Sequence, residues 1–173
     1  GDSLYEEEWI PTAKKIIEEA ERAKVKLFLP IDNVVADKIS ADAISRVVTI
    51  EEGIPSGFSG VDIGPLTINL FDQALQEAKT VFWNGPLGVF EIPRFAEGTN
   101  AIAHTVASLD AMTVVGGGDS VAALYATGEA DRISHLSTGG GAALELIEFG
   151  TLPGIEALSG NGQYKEKHAP IIL

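Results

Sequence analysis

The sequence predicts an α/β protein, a three-layer Rossmann-like parallel sheet with helices on both of its faces. Short runs of apolar, often β-branched residues alternate along the chain with segments whose apolar residues recur at helical spacing. The runs themselves are nearly continuous in hydrophobicity, which favours strands that are buried on both sides of a parallel sheet. With 173 residues, of which 45% are hydrophobic, the chain is long enough to bury such a core.

The first half of the chain should form one helix and two strands. Ser3 and Glu6 have the spacing of a capping box, and Pro11 suits the first position of the helix that follows. Residues 24–30 predict a buried strand whose extended conformation continues through residues 32–36. Residues 47–50 predict a second short strand. The glycine- and proline-rich residues 51–65 predict a long loop.

The second half repeats the alternation more regularly. Residues 66–78 predict a helix, residues 80–83 a strand, and residues 95–109 a helix that leads into a strand at Val114 and Val115. Two further helices are expected over residues 120–126 and 142–149. Residues 159–163 look like a flexible linker. The apolar residues 169–173 resemble an extra strand rather than a frayed end.

Composition excludes several classes of function. The formal net charge is −13, from 12 Lys and Arg against 25 Asp and Glu, so the surface should repel nucleic acid and anionic membranes. The sequence has no cysteine, which rules out disulfides and thiolate metal sites. It also has no run of about 18 apolar residues, and its start is acidic, so we expect a cytoplasmic protein. Because the sequence opens at Gly1 without methionine, we expect a fragment or a processed form.

Two apolar runs end in three consecutive glycines and then turn into a predicted helix. The glycines are residues 116–118 and residues 139–141. Glycine permits positive φ and lets a ligand approach the main chain closely. A helix that begins just after such a turn directs unpaired N–H groups at the same point, at the edge of the sheet where ligands bind. The two turns therefore predict a site for a large anionic ligand.

The residues around the first glycine turn suggest how such a ligand is held. The N–H groups of Gly117 and Gly118 can bind phosphate oxygens, the Asp119 carboxylate is a hard ligand suited to Mg²⁺, and the Ser120 hydroxyl can donate a further hydrogen bond. A purely structural turn with Asp119 as helix cap is the alternative. The run is neither a Walker A loop nor a dinucleotide-binding fingerprint.

Residues 83–91 form the most specific motif in the chain. Asn84, Gly85 and Pro86 demand a turn after a strand, and Gly88 leaves room for a flat ligand against the backbone. The carboxylate of Glu91 could accept two hydrogen bonds from vicinal ribose hydroxyls. The alternative is a plain turn followed by a solvated glutamate.

Together these motifs resemble phosphoglycerate kinase. Six segments match that family in the same order along the chain: residues 29–32, 60–65, 83–91, 115–120, 134–142 and 152–154. The resemblance covers Gly1 to about Leu158. It implies that residues 1–158 are a partial C-terminal, nucleotide-binding domain, and that residues 159–173 are an atypical linker and tail.

The resemblance also implies a nucleotide pocket. It places the adenine of ADP or ATP near Gly60 and Val61, and the ribose hydroxyls on Glu91. Further positions that match the lining of the family's nucleotide pocket are Asn84, Pro86, Gly88 and Val89.

Both glycine turns belong to the phosphoryl-transfer site that the resemblance implies. Gly117, Gly118, Asp119 and Ser120 match the phosphate and Mg²⁺ site, with Asp119 as the metal ligand. The second turn matches the helix terminus that faces the transferred phosphoryl group. The glycines expected at the reacting groups are thus Gly116, Gly117, Gly139 and Gly140.

The family reaction moves a phosphoryl group between 1,3-bisphosphoglycerate and ADP, giving ATP and 3-phosphoglycerate. Such chemistry depends on positioning and charge neutralisation, so no nucleophilic residue is required. This sequence lacks the family's N-terminal domain, which binds the phosphoglycerate, and the Gly-Gly-Ala-Lys segment whose lysines reach the nucleotide phosphates. We therefore expect this phosphotransferase chain to be inactive alone and to need the missing portion of the enzyme as a partner.

Two other interpretations remain open. The chain could be a stable fragment whose pocket binds nucleotide weakly or not at all, or an engineered or rearranged α/β scaffold. For the tail, a strand of the domain moved to the end of the chain competes with a fusion junction or tag.

Overall fold

The computed structural model describes residues 1–159, and their strands form two sheets of three strands each. The strand bounds are β1 Asp32–Ala36, β2 Ser45–Thr49, β3 Ser59–Ile63, β4 Thr80–Trp83, β5 Met112–Gly116 and β6 His135–Ser137. The parallel sheet has the order β4-β5-β6 and the antiparallel sheet the order β2-β1-β3. The α/β class with a parallel sheet is confirmed, whereas the antiparallel sheet was not predicted.

Six α-helices connect or flank these strands within the described residues. They are α1 Ile10–Ala23, α2 Pro65–Leu75, α3 Glu97–Ser108, α4 Gly118–Thr127, α5 Gly140–Phe149 and α6 Pro153–Leu158. Helices α2 to α5 overlap the four helices that the apolar spacing predicts in this half of the chain. Each crossover between the parallel strands runs through a helix, as parallel pairing requires.

Helix α3 is the central packing element. Its Ile102 and Val106 pack on Val81 of β4, and its Ala103 lies in a second cluster with Val115 of β5 and Leu124 of α4. Val106, Val115 and Leu124 are at most 1% exposed. Burial of each such side chain is worth about 1.5–3 kcal/mol. This packing fixes β4, β5 and α4 relative to one another, and the glycine turn lies between the last two.

Asp32 ties the antiparallel sheet to the start of α2. Its carboxylate accepts hydrogen bonds from the amides of Leu66 and Thr67, at 3.0 and 2.8 Å, and so caps a helix that lies 33 residues further along the chain. The Thr67 hydroxyl in turn accepts hydrogen bonds from the amides of Ile31 and Asp32. A Cβ at Gly64 would collide with the Asp32 carboxyl group, so this turn requires glycine.

The prediction of a buried strand at residues 24–30 is wrong. These residues are not part of any strand, and Val25, Leu27, Phe28 and Leu29 are 42–61% exposed. No residue within 1–159 accepts a hydrogen bond from the amides of residues 26–29. An apolar run indicates a strand only where a neighbouring strand supplies partners, and the described part of the chain supplies none here.

Two smaller predictions are also wrong. The supposed loop at residues 51–65 contains β3, which pairs antiparallel with β1 around an irregularity at Val34 and Val35. Ser3 does not cap a helix, since its hydroxyl accepts the amide of Gly60 at 2.9 Å. The expected linker beyond Ser159 and the strand-like ending at residues 169–173 lie outside the described residues.

Candidate functional site

The turn that follows β4 is held by two side chains. The indole Nε1 of Trp83 donates to the carbonyl of Gly85 at 2.6 Å, and the Gly85 amide donates to the hydroxyl of Ser120 at 2.6 Å. Gly85 has φ +134°, a conformation that favours glycine. The turn is thereby attached to β4 on one side and to the first turn of α4 on the other.

The two glycine turns lie against each other. Gly117 has φ +90°, and its amide donates to the carbonyl of Ser137 at the end of β6. A Cβ placed on Gly140 would lie 2.8 Å from the Cα of Gly117 and 2.9 Å from the Oδ1 of Asn84. The amide side chain of Asn84 therefore sits where both turns meet. This contact joins the ends of β4, β5 and β6 at one edge of the sheet.

Both helices that leave these turns begin without a side-chain cap. Helix α4 starts at Gly118 and helix α5 at Gly140, and because the N-cap residue of each is a glycine, no N-cap side chain accepts a hydrogen bond from the first amides. The first amides of an α-helix have no partner within the helix, and together they carry a partial positive charge. The two neighbouring termini can therefore hold an anion of the size of a phosphate group.

A cavity of about 460 Å³ is lined in part by Pro86, Leu87, Gly88 and Val89, which follow the turn at the end of β4. The residues that line it include five of the positions that the sequence predicted for the nucleotide pocket, namely Gly60, Val61, Pro86, Gly88 and Val89. These come from β3 and from the segment after β4. The Val89 amide bonds to the Val61 carbonyl at 2.9 Å and holds the two segments together. Pro86 links this cavity to Asn84 and thus to the glycine turns.

Asp62 is the carboxylate in this lining, and it is 5% exposed. It accepts hydrogen bonds from the amides of Ile63 and Gly98, at 2.8 and 2.9 Å. Burial raises the pKa of Asp62, while these two amides act in the opposite direction. A Cβ on Gly88 would collide with the same carboxyl group, so Gly88 is needed for close packing. Asp62 thus fixes the start of α3 and the cavity wall.

The predicted role of Asp119 in binding Mg²⁺ is compatible with a site in which the metal is also bound by phosphate oxygens of a ligand. Asp119 is exposed in the first turn of α4, beside the uncapped amides. Residues 1–159 contain no group of three or more His, Cys, Asp or Glu side chains that could enclose a metal ion. Mg²⁺ is commonly bound by one or two carboxylates together with substrate phosphates and water. The donor set therefore fits Mg²⁺ that arrives with a phosphate ligand.

The remaining residues that the sequence predicted for the site differ in their exposure to solvent. Gly116 and Gly140 are buried, and a Cβ on Gly116 would lie 3.1 Å from the ring of Phe82. Gly118 and Gly139 are exposed. Glu91 is also exposed and does not line the cavity, so its contact with ribose stays a prediction.

Sequence reasoning missed part of the cavity wall. Ser3, Asn33 and Ile54 line it from segments far apart in the chain. Asn33 directly follows residues 29–32, a segment that matches the family pattern, and this was its available signal. Ser3 and Ile54 reach the cavity through tertiary contacts that no local pattern reveals.

The described part of the chain defines an α/β domain with paired, uncapped helix N-termini beside an open pocket, as in proteins that bind phosphorylated ligands. None of its helices is long and apolar enough to cross a membrane. The family model for phosphoglycerate kinase matches residues 1–149. The chain belongs to the phosphoglycerate kinase family.

Individual relatives agree with this assignment. Phosphoglycerate kinase of Aliarcobacter butzleri is 51% identical over 158 residues, which is 91% of this chain and 39% of the relative. The enzyme of Chlamydia trachomatis serovar D is 52% identical over 160 residues, or 92% of this chain and 40% of the relative. The chain therefore spans about two fifths of the length of these curated relatives.

Solved structures support the same fold. Phosphoglycerate kinase of Coxiella burnetii superposes with a TM-score of 0.86 at 43% identity, covering 93% of this chain and 41% of that one. The Pyrococcus horikoshii enzyme gives 0.66 at 28% identity, covering 86% and 38%.

Proposed function

We propose that residues 1–158 form part of the nucleotide-binding domain of a phosphoglycerate kinase and bind Mg-ADP or Mg-ATP. The observation that carries this proposal is the meeting of two uncapped helix termini beside the cavity that Gly60, Val61, Pro86 and Gly88 line. Phosphate oxygens would bind the free amides of α4 and α5, and the adenine and ribose would occupy the cavity. The metal would supply charge neutralisation between Asp119 and the phosphates.

Titration calorimetry with ADP tests this proposal. We expect Mg²⁺ to strengthen ADP binding to the parent chain, and Asp119→Ala to remove most of that gain. Asp110→Ala is the matched control, because Asp110 is a fully exposed carboxylate outside the site. Absence of ADP binding to the parent chain would reject the proposal and favour the stable-fragment interpretation. Equal Mg²⁺ dependence in the parent and Asp119→Ala would reject the metal assignment.

We further propose that the complete enzyme transfers a phosphoryl group between 1,3-bisphosphoglycerate and ADP, and that this chain cannot do so alone. Among residues 1–159, no lysine or arginine lines the cavity. Transfer also requires cationic groups that neutralise the developing charge, and helix termini alone supply only part of this. A coupled assay should give no turnover with the chain alone. A cytoplasmic location stays a prediction from the sequence.

The partner that would complete the site is the remaining portion of the enzyme, and an apolar face supports this proposal. Helix α1 has no buried residue, and residues 25–31 expose Val25, Leu27, Phe28 and Leu29. Beside them lies an apolar cleft of about 310 Å³, lined by Phe28, Phe71, Ala74, Leu75, Trp83, Leu87 and Ile102. Exposed apolar patches of this kind mark protein contacts. The covering segment would come from the three fifths of the relatives' length that this chain does not match.

Complementation tests this partner. The chain would be mixed with the part of the Coxiella burnetii enzyme that it does not cover, and turnover would be measured. We expect recovery with the parent chain and with Ile44→Asp, which changes an exposed apolar residue away from the cleft. Leu27→Asp should prevent recovery. Recovery with Leu27→Asp would mean that the partner covers another face of the chain. If the chain alone forms a dimer, a second copy of the chain would be favoured as the molecule that covers the apolar cleft.

A further inference from the structure

The hydroxyl of Ser120 is buried and already has a partner. Ser120 is 1% exposed, although it lies in the first turn of α4, next to the exposed Asp119. Its Oγ accepts the amide hydrogen of Gly85 at 2.6 Å. Accepting this hydrogen bond leaves the hydroxyl hydrogen free to donate, but at 1% exposure the group offers a phosphate oxygen almost no surface to approach, and removing the hydroxyl would leave the Gly85 amide without its partner. Leaving such a group unsatisfied typically costs about 1–3 kcal/mol.

The Gly85 residue that Ser120 holds is anchored from its other side as well. Trp83 donates its indole hydrogen to the Gly85 carbonyl at 2.6 Å, and the residue is 8% exposed in the cluster that contains Val115 and Leu124. The packed indole of Trp83 and the buried hydroxyl of Ser120 therefore form hydrogen bonds with the carbonyl and the amide of Gly85. With φ at +134°, this residue is in a conformation that few other residues adopt.

Gly85 stands between the two halves of the proposed site. Asn84 precedes it, with Oδ1 where the two glycine turns meet, and Pro86 follows it in the cavity wall. A shift of the Gly85 peptide would displace both neighbours because they share its peptide bonds. The contact with Ser120 therefore fixes the phosphate end of the site relative to the base end.

We propose that Ser120 is a positioning residue, which acts through Gly85 to align the two ends of the nucleotide site and does not itself bind phosphate through its hydroxyl. This inference rests on the proposed nucleotide binding. It differs from a direct phosphate contact in one measurable way. If Ser120 and Trp83 both act through Gly85, removing the second contact adds little once the first is gone.

Amide hydrogen exchange tests the contact without any ligand. We expect the Gly85 amide to be protected in the parent chain, exposed to exchange in Ser120→Ala, and protected again in Ser120→Thr, which keeps the hydroxyl. Thr113→Val is the matched control. Thr113 is 3% exposed, and its hydroxyl also accepts a backbone amide, that of Ser134, at the opposite end of β5. Equal protection of Gly85 in Ser120→Ala and in the parent would overturn the proposal.

A double-mutant cycle with Mg-ADP tests the functional part. Ser120→Ala and Trp83→Phe should each raise the Kd about tenfold, which corresponds to about 1.4 kcal/mol. The double variant should bind no worse than the weaker single variant, whereas Thr113→Val should lower stability and leave the Kd unchanged. Additive losses in the double variant would indicate a direct phosphate contact and overturn the proposal, as would an unchanged Kd in Ser120→Ala. If the parent chain does not bind Mg-ADP, nucleotide binding itself fails, while the exchange result still decides whether Ser120 positions Gly85.

Discussion

The contact between the two glycine turns gives a prediction that two neighbouring glycines can test. Gly140 and Gly141 are the first two residues of α5. A Cβ on Gly140 would lie 2.8 Å from the Cα and 2.9 Å from the N of Gly117, and 2.9 Å from the Oδ1 of Asn84. A Cβ on Gly141 would meet nothing within 4 Å. Gly140→Ala should therefore strain the junction of the two turns, and Gly141→Ala should not.

The magnitude follows from the atoms involved. Two of the three close atoms belong to the main chain of Gly117, whose amide is bonded to the carbonyl of Ser137, so this side of the contact cannot move freely. Overpacking of this kind costs about 1–3 kcal/mol. Replacing glycine by alanine also stabilises by about 0.4–1 kcal/mol, chiefly through the unfolded chain. Because both variants share this second contribution, the difference between their free energies of unfolding isolates the overpacking cost.

Urea unfolding measures that difference. With a slope of about 2 kcal/mol per M, a cost of 2 kcal/mol separates the two midpoints by about 1 M. Gly140→Ala should unfold at lower urea than the parent chain, and Gly141→Ala at slightly higher urea. Coincident midpoints for the two variants would refute the close approach of the turns. Far-ultraviolet circular dichroism of both variants in buffer would show that each starts from a folded state.

Three further predictions concern stability. The pKa of Asp62 is raised, which means that its carboxyl group holds a proton more tightly in the folded state than in the unfolded state. In unfolding titrations, the free energy of unfolding of the parent relative to Asp62→Asn should therefore fall as the pH rises from about 4 to 7. The hydrogen bond from His104 is the main cause of a lowered pKa at Glu129, so the parent's advantage over Glu129→Gln should shrink as the pH falls below about 5. Thr67→Val should cost about 2–3 kcal/mol in urea unfolding, because the amide of Asp32 loses its hydroxyl partner while Thr67→Ser retains it.

The parallel half of the fold could be predicted because its signals are local. Strands β4, β5 and β6 end in turn residues, and each helix between or after them has a regular apolar spacing. In the antiparallel half, β1 and β2 overlap the predicted extended residues 32–36 and the predicted strand at residues 47–50, but β3 and the antiparallel pairing could not be predicted in the same way. Strand β3 contains Gly60 and Asp62, two residues that disfavour strands, and it forms because β1 offers hydrogen bonds and because the amide of Gly98 satisfies Asp62. These partners are distant in sequence.

Contacts that are distant in sequence also explain why the two three-glycine turns differ in structure although their sequences look alike. Of these six glycines, Gly117 alone has a positive φ. Gly116 makes room for the ring of Phe82, and Gly140 makes room for Gly117. Cβ atoms on Gly118 and Gly141 would meet no neighbour within 4 Å, so packing does not require glycine there. The sequence pattern therefore marked the two turns that meet in the structure, but the role of each glycine depends on what lies opposite it.

The charge of the chain is consistent with the form of ligand that we propose. A helix N-terminus acts as roughly half a positive charge, so the two neighbouring termini supply about one. ADP carries roughly three negative charges near neutral pH, and one Mg²⁺ reduces that to about one. With no lysine or arginine from residues 1–159 in the cavity lining and a net charge of −13, the proposed site should favour the metal complex over free ADP. Metal-free ADP should consequently bind this chain far more weakly than Mg-ADP. We propose that the missing portion supplies further cationic groups, so the difference should lessen in the complete enzyme.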